Sequence, residues 1–256
     1  MSQRHAVLAT LFVLAAGVFA VTSDGQQSPA PAAPKPKPNF VSVVKLSHPL
    51  AYYRLEATSG SSAVGTSTYS SQGGVTSSDL GAPIGIEGNK CVLLDGKDGW
   101  ITTTQTGGIT TAGSMMAWVN LAALPSDAGR ILYVGGESQS GNDFDVQFET
   151  DNILMFYTAS GSHSSYTPDP KSLVGQWHMI VVTMNTITHH RVIYWDGQPV
   201  TLDQDAGTPR KTSQFSVGAS TVFGGRWFDG SMDEVALWNR ALSAAEVMAI
   251  YKSTKK

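Results

Sequence analysis

Three carboxylates and an amide alternate with apolar side chains in NDFDVQFETD, residues 142–151. Asp143, Asp145, Gln147 and Glu149 hold one set of positions, and Phe144, Val146 and Phe148 fall between them. Paired carboxylates are what glycoside hydrolysis needs: one protonates the leaving oxygen while the other attacks or activates water. The two groups must then stand about 5 Å apart for retention, or about 6.5–9.5 Å for inversion. Along one face of a strand, residues two apart are separated by ~6.6 Å and residues four apart by ~13 Å. Asp145 and Glu149 are therefore too distant, and Gln147 occupies the place between them. The alternation instead predicts a strand with Phe144, Val146 and Phe148 in the core and Asp143, Asp145 and Glu149 in water, able to line a binding surface.

Other catalytic constellations are weaker. No G-x-S-x-G elbow occurs. His189 and His190 are neighbours, so on a strand they point to opposite faces and cannot share a metal. His178 follows Trp177 in an apolar run and reads as a satisfied sandwich residue. Cys91 is the single cysteine, which excludes an intramolecular disulfide; set in CVLLDG, it reads as a small buried residue. No catalytic residue is assigned. Calcium is the better metal candidate, because it takes carboxylate and loop carbonyl oxygens. LDGKDG places Asp95 and Asp98 in a glycine-rich turn, and GSMDEV offers Asp233.

Sugar sites combine an aromatic face with hydrogen-bonding groups at its rim. Trp227 meets that description, since Arg226 and Asp229 flank it in GGRWFDG. His163 and Tyr166, in SGSHSSYTPDP, are expected on a loop and complete the candidate ligand-binding set. Loop packing on the sandwich is the competing reading for each. Trp118, Trp177 and Trp195 lie in strand patterns and are expected in the core.

Short strand patterns must position these residues. AYYRLEA, CVLLD, SMMAWVNL, RILYVGG, FDVQFET, ILMFYTA, QWHMIVVTMN, HRVIYWDG, VFGGRW and MDEVALWN follow one another between Gly and Ser clusters. Asp151-Asn152 and Asp196-Gly197 are hairpin signals. One helix is expected, at the C-terminus. Ser243 and Glu246 form a capping box, Leu242 and Val247 a hydrophobic staple, and Val247, Ile250 and Tyr251 an apolar stripe. Many strands without intervening helices predict an all-β, antiparallel two-sheet jelly-roll sandwich with one short C-terminal helix.

The chain has 256 residues, 41% of them hydrophobic and 14% charged, enough for one substantial core. A net charge of −3 points away from nucleic acid and acidic membrane surfaces. Arg4 and His5 precede the apolar run at 6–21, which would span roughly 24 Å as a helix, short of the ~30 Å hydrocarbon core. With Val18-Phe19-Ala20 behind it, this reads as a secretory signal over 1–20, and an uncleaved anchor is the alternative. Residues 21–39 form a proline-rich spacer and 40–256 the domain. The mature protein is expected outside the cell or in the periplasm, without membrane insertion; its oligomeric state is left open.

The ordered motifs AYYRLE, CVLLDGKDGWI, MMAWVN, GQWHMIVVTMN, VIYWDGQPV, FGG and GSMDEVALWNRALSAAEVMAIY resemble laminin G-like jelly-roll domains of the concanavalin A-like lectin/glucanase superfamily. The resemblance spans roughly 48–252 and is most specific in DEVALWNRALS with its following helix. It implies two stacked antiparallel sheets, but no single function. It also implies a structural calcium joining the first strands to the last, with Asp233, Asp95 and Glu56 as ligands. Retaining glucanases of the superfamily have a Glu-Asp-Glu motif that 143–149 does not reproduce. The expected function is a secreted, non-catalytic module binding carbohydrate. The alternatives are an extracellular protein–protein adhesion or structural module, and a glycoside hydrolase or lyase.

Overall fold

The computed structural model describes residues 37–255, apart from 107, 137–143, 159–161, 204–206, 208–211 and 221–224. The expected signal over 1–20, most of the expected spacer over 21–39, and Asp143 lie outside the described residues.

The chain runs through α1 (Phe40–Leu46), β1 (Ala51–Tyr53), β2 (Ser59–Ser61), β3 (Thr68–Gln72), β4 (Thr76–Ser78), β5 (Cys91–Asp95), β6 (Trp100–Thr103) and β7 (Ala112–Leu121). Next come β8 (Gly129–Gly136), β9 (Asp145–Phe148), β10 (Leu154–Tyr157), β11 (His163–Tyr166), α2 (Pro170–Leu173), β12 (His178–Asn185), β13 (His190–Trp195) and β14 (Gln198–Pro199). The series closes with β15 (Thr212–Val217), β16 (Asp229–Trp238) and α3 (Ala244–Lys252). One sheet has the order β14-β13-β12-β7-β16-β5-β4, with β1 also paired to β16. The other has the order β11-β10-β9-β8-β15-β6-β3-β2. All pairings between these strands are antiparallel, so the molecule is the expected jelly-roll sandwich.

Phe148, Phe156, Phe215, Val119 and Val235 meet between the sheets. The β7-β16 sheet is buried on its other face as well. There Phe40 and Val44 of α1, and Val247 and Ile250 of α3, cover Met116, Trp118 and Trp238. A sheet covered on both sides needs apolar residues at successive positions, which explains why AGSMMAWVNL does not alternate.

α3 forms as the sequence predicts. The Ser243 hydroxyl accepts from the Glu246 N–H at 3.3 Å, while the Glu246 carboxylate accepts from the Ser243 N–H at 2.8 Å. The Arg240 guanidinium, hydrogen-bonded to Glu246, draws that carboxyl down to about 2. α1 is an addition to the expected elements. Asn39 caps it by accepting from the Ser42 N–H at 2.9 Å, and Phe40 and Val44, four apart, supply its buried stripe. Both hairpin signals hold their turns: Asn152 has φ 66°, and Asp196 and Gly197 have φ 49° and 81°.

Three expectations are corrected. Asp145 and Gln147 are buried, not solvated, although Phe144, Val146 and Phe148 are core residues as expected. β9 is an interior strand. Tyr157 and Met155 of β10 stand opposite Asp145 and Gln147 on one flank, and Tyr133 and Arg130 of β8 hold the positions on the other. Tyr157 and Met155, cross-strand neighbours only ~5 Å away, take water from Asp145 and Gln147, and alternation alone does not reveal them. VFGGRW is not a strand over its described part, since 225–228 has no regular structure and β16 begins at Asp229. His163 and Tyr166 lie in β11 rather than on a loop.

Candidate functional site: a cleft at one end of the sandwich

β5, β7 and β9 end, and β8 and β16 begin, at the same end of the sandwich, so their connections converge there. The approach to β16 is pinned by Phe228, which is buried. Its N–H donates to Gly218 O at 2.8 Å, and its carbonyl accepts from the Gly96 N–H at 3.2 Å. One residue on, the Asp229 carbonyl accepts from the Ala122 N–H at 3.1 Å. Gly96 has φ 67°, and a Cβ there would lie 2.7 Å from the Asp229 Cβ, so this close approach needs glycine.

With Phe228 in the core, Trp227 and Arg226 are left toward the outside: Trp227 is half-buried and Arg226 exposed, the latter with φ 58°. They border a cleft of about 180 Å³ together with Leu124, Ser126, Asp127 and Asp229. The side chains of Ser126, Arg226, Trp227 and Asp229 make no hydrogen bond or ion pair within the described residues. Asp127 uses one oxygen, Oδ1, to accept from the Ala128 N–H at 2.7 Å. An aromatic face with unengaged donors and acceptors around it can stack on a ring and hydrogen-bond its substituents.

The structure therefore brings together Trp227, Arg226 and Asp229 and separates them from His163 and Tyr166. Tyr166 turns inward, packs on the core and meets Trp195 at 5.6 Å between ring centroids. His163 is exposed at the other end of β11, beside Tyr157. Sequence reasoning missed Ser126 and Asp127. Their stretch, LPSDAG, has the composition of any polar turn, and only convergence with the approach to β16 distinguishes it.

The candidate calcium ligands divide in the same way. Asp95 Oδ1 accepts from the N–H groups of Lys97, Asp98 and Gly99 at 2.9–3.1 Å, which closes the β5–β6 turn. Those N–H groups hold its carboxyl below the usual range. Asp233 lies four residues along β16 from Asp229, the register partner of Asp95, or about 13 Å away. A bulge in β16, with Glu234 at φ 53°, puts Asp233 and Glu234 on the same face. Asp233 Oδ2 accepts from Ala82 N–H at 2.9 Å and Asn89 Nδ2 at 2.6 Å. Glu234 accepts from the Tyr52 hydroxyl and from Arg54 Nε, the latter at 3.0 Å. Arg54 also pairs with Glu56 and donates to Asn89. Burial raises the affinity of both Asp233 and Glu234 for protons, and for Glu234 Arg54 opposes it.

Asp95 does not fit a calcium joining first strands to last, because it stands opposite Asp229 at the start of β16, four residues along the strand from Asp233. Asp233 and Glu56 do fit: Asp233 Oδ1 is buried without a hydrogen-bond partner, and Glu56 Oε1 meets only Arg54. Among the described residues, no three His, Cys, Asp or Glu side chains converge as a metal set, so loop carbonyls would have to complete it.

The remaining polar candidates are structural. Asp145 is buried and Glu149 is bonded by Gln147 and Tyr157. His178 is buried with both ring nitrogens engaged, Nδ1 with Asp196 at 2.9 Å and Nε2 with Ser172 O at 2.8 Å. Burial opposes its charge, but these acceptors outweigh it and raise its pKa.

A sequence profile of the concanavalin A-like lectin/glucanases superfamily, of laminin G type, matches residues 95–248, and the chain belongs to that family. No curated protein matches the chain. Among solved structures, domain 4 of AbnA, a GH43 extracellular arabinanase from Geobacillus stearothermophilus in complex with arabinotriose, aligns with a TM-score of 0.58 and 15% identity, over 78% of this chain and 97% of that one. The binding domain of Botulinum neurotoxin DC, in complex with rat synaptotagmin II, aligns with a TM-score of 0.60 and 10% identity, over 82% of this chain and 52% of that one. A Trypanosoma rangeli sialidase mutant displaying trans-sialidase activity gives 0.59 and 13%, over 82% of this chain and 34% of that one. The chain thus spans about half and a third of the last two. At these identities the likeness is one of fold. Among the described residues, no helix is long and apolar enough to cross a membrane.

Proposed function

We propose that this protein is a secreted, non-catalytic carbohydrate-binding module whose site is the cleft bounded by Trp227, Arg226 and Asp229. The observation that carries the reading is the set of unengaged polar side chains around a half-buried indole. Around Asp95 and Asp98, and around Asp233 and Glu234, each carboxylate has at least one oxygen tied into the fold. The volume, about 180 Å³, is below the ~300 Å³ at which pockets enclose drug-sized ligands, so it suits one sugar ring with its neighbours on the rim. The arabinotriose complex of the arabinanase domain, which this chain covers almost end to end, supports the same ligand class. His163 and Tyr166 have no part in it. The reading includes a structural calcium held by Asp233 and Glu56, which would supply positive charge to a buried acidic network and take no part in recognition.

A glycan array probed with the purified protein tests the reading, followed by titration of any hit against Trp227→Ala. Binding should weaken by about 1 kcal/mol or more, as for other aromatic anchors. An array without hits, or a hit indifferent to Trp227→Ala, would overturn it.

A further inference from the structure

Resting on that carbohydrate reading, we propose that the cleft selects neutral sugars and discriminates against acidic ones. Three charged side chains border it: Asp127 and Asp229, both exposed, and Arg226. The wall formed by the β5–β6 turn adds more negative charge. Gly96 of that turn lines the cleft, and Asp95 stands directly opposite Asp229 in the β5–β16 register. Asp98 and Lys97 follow in the same turn, so the cleft border and this turn together set four carboxylates against two cations. Asp95 is kept ionised by the three N–H groups it accepts from, so its charge persists at neutral pH.

The chemistry of recognition follows from the sign of that field. The Asp229 carboxylate has both oxygens unengaged, and two adjacent hydroxyls of a sugar can donate to it in charge-assisted hydrogen bonds. Arg226 supplies donors for a ring or hydroxyl oxygen, and Trp227 supplies the stacking face. A uronate or sialate carboxylate would have to shed water within reach of Asp127 and Asp229. A cleft with low-dielectric walls focuses that repulsion. Arg226 alone could pair with such a group, and this is the arrangement that competes with the proposal.

The test compares oligosaccharides in matched pairs, one neutral and one bearing a uronate or sialate, titrated against the purified protein at low and high salt. The neutral member should bind at least tenfold more tightly. Raising salt from ~0.05 to ~0.5 M should leave neutral binding unchanged and narrow the gap by screening the repulsion. Asp127→Asn, which retains the Oδ1 acceptor for Ala128, should narrow it at low salt. Equal or tighter binding of the acidic member, weakened by salt, would show that Arg226 dominates; it would overturn this proposal and leave the carbohydrate reading standing. Failure of both members of every pair to bind would overturn the two together.

Discussion

Two acidic positions on β16 lie four residues apart and have opposite surroundings. At Asp229 the strand begins in water, and its carboxylate, with Arg226 and Trp227 beside it, touches no partner in the described protein. At Asp233 and Glu234 the strand passes beneath the segment carrying Ala82 and Asn89. There a bulge gathers two fully buried carboxylates around Arg54, Tyr52 and Asn89. The first region retains its hydrogen-bonding capacity for something outside the molecule. The second has used nearly all of its capacity to hold β1, the 80–90 segment and β16 together. An acidic side chain is thus a poor guide to function until its oxygens have been followed to their partners.

The comparison can be broken by mutation, and the largest effect should come from the aromatic pair at the cleft. Phe228→Ala removes a core side chain and should cost ~3–5 kcal/mol, whereas Trp227→Ala should cost roughly 1 kcal/mol or less. Denaturant unfolding of both variants checks this; equal losses would make Trp227 part of the core. In the closed network, Arg54→Ala strands Glu234 in the interior and should cost about 3–5 kcal/mol in the same assay. A loss near zero would mean that the network is solvated after all.

Calcium sharpens the contrast. Metal-free protein should melt at a higher temperature once calcium is restored, with a stabilisation of about 2.7 kcal/mol at a hundredfold excess over Kd. A chelator or Asp233→Asn should abolish the shift, and Asp95→Asn should not. Identical melting curves with and without calcium would remove the ion from the account. The smallest effect is expected at the open end. Asp229→Ala should change stability by no more than about 0.5 kcal/mol, since the carboxylate has no partner to lose. A loss of several kcal/mol would place Asp229 in the same class as Asp233.

Much of the fold was legible because its signals are local. The Ser243–Glu246 capping box, the Asp196-Gly197 turn and the apolar runs at 91–95 and 178–185 each act within a few residues, so no tertiary information is needed to read them. The short strands β2, β3, β4 and β11 were not legible. They are built from Ser, Thr and Gly, and their pairing is dictated by neighbours distant in the chain. α1 was missed because its apolar residues, read without the sheet they cover, fit a strand equally well. At the site, the grouping of Trp227 with Arg226 and Asp229 was written in their adjacency.

Sequence alone therefore determined the sandwich, its C-terminal helix, its family and one half of the candidate site, because periodicity, capping and turn chemistry depend on near neighbours. Tertiary structure decided the rest. It sent Asp145 and Gln147 under their cross-strand neighbours, turned Tyr166 inward and recruited Ser126 and Asp127 to the cleft. Each of those outcomes depends on which strand lies alongside, and burial is a property of that neighbour rather than of the residue.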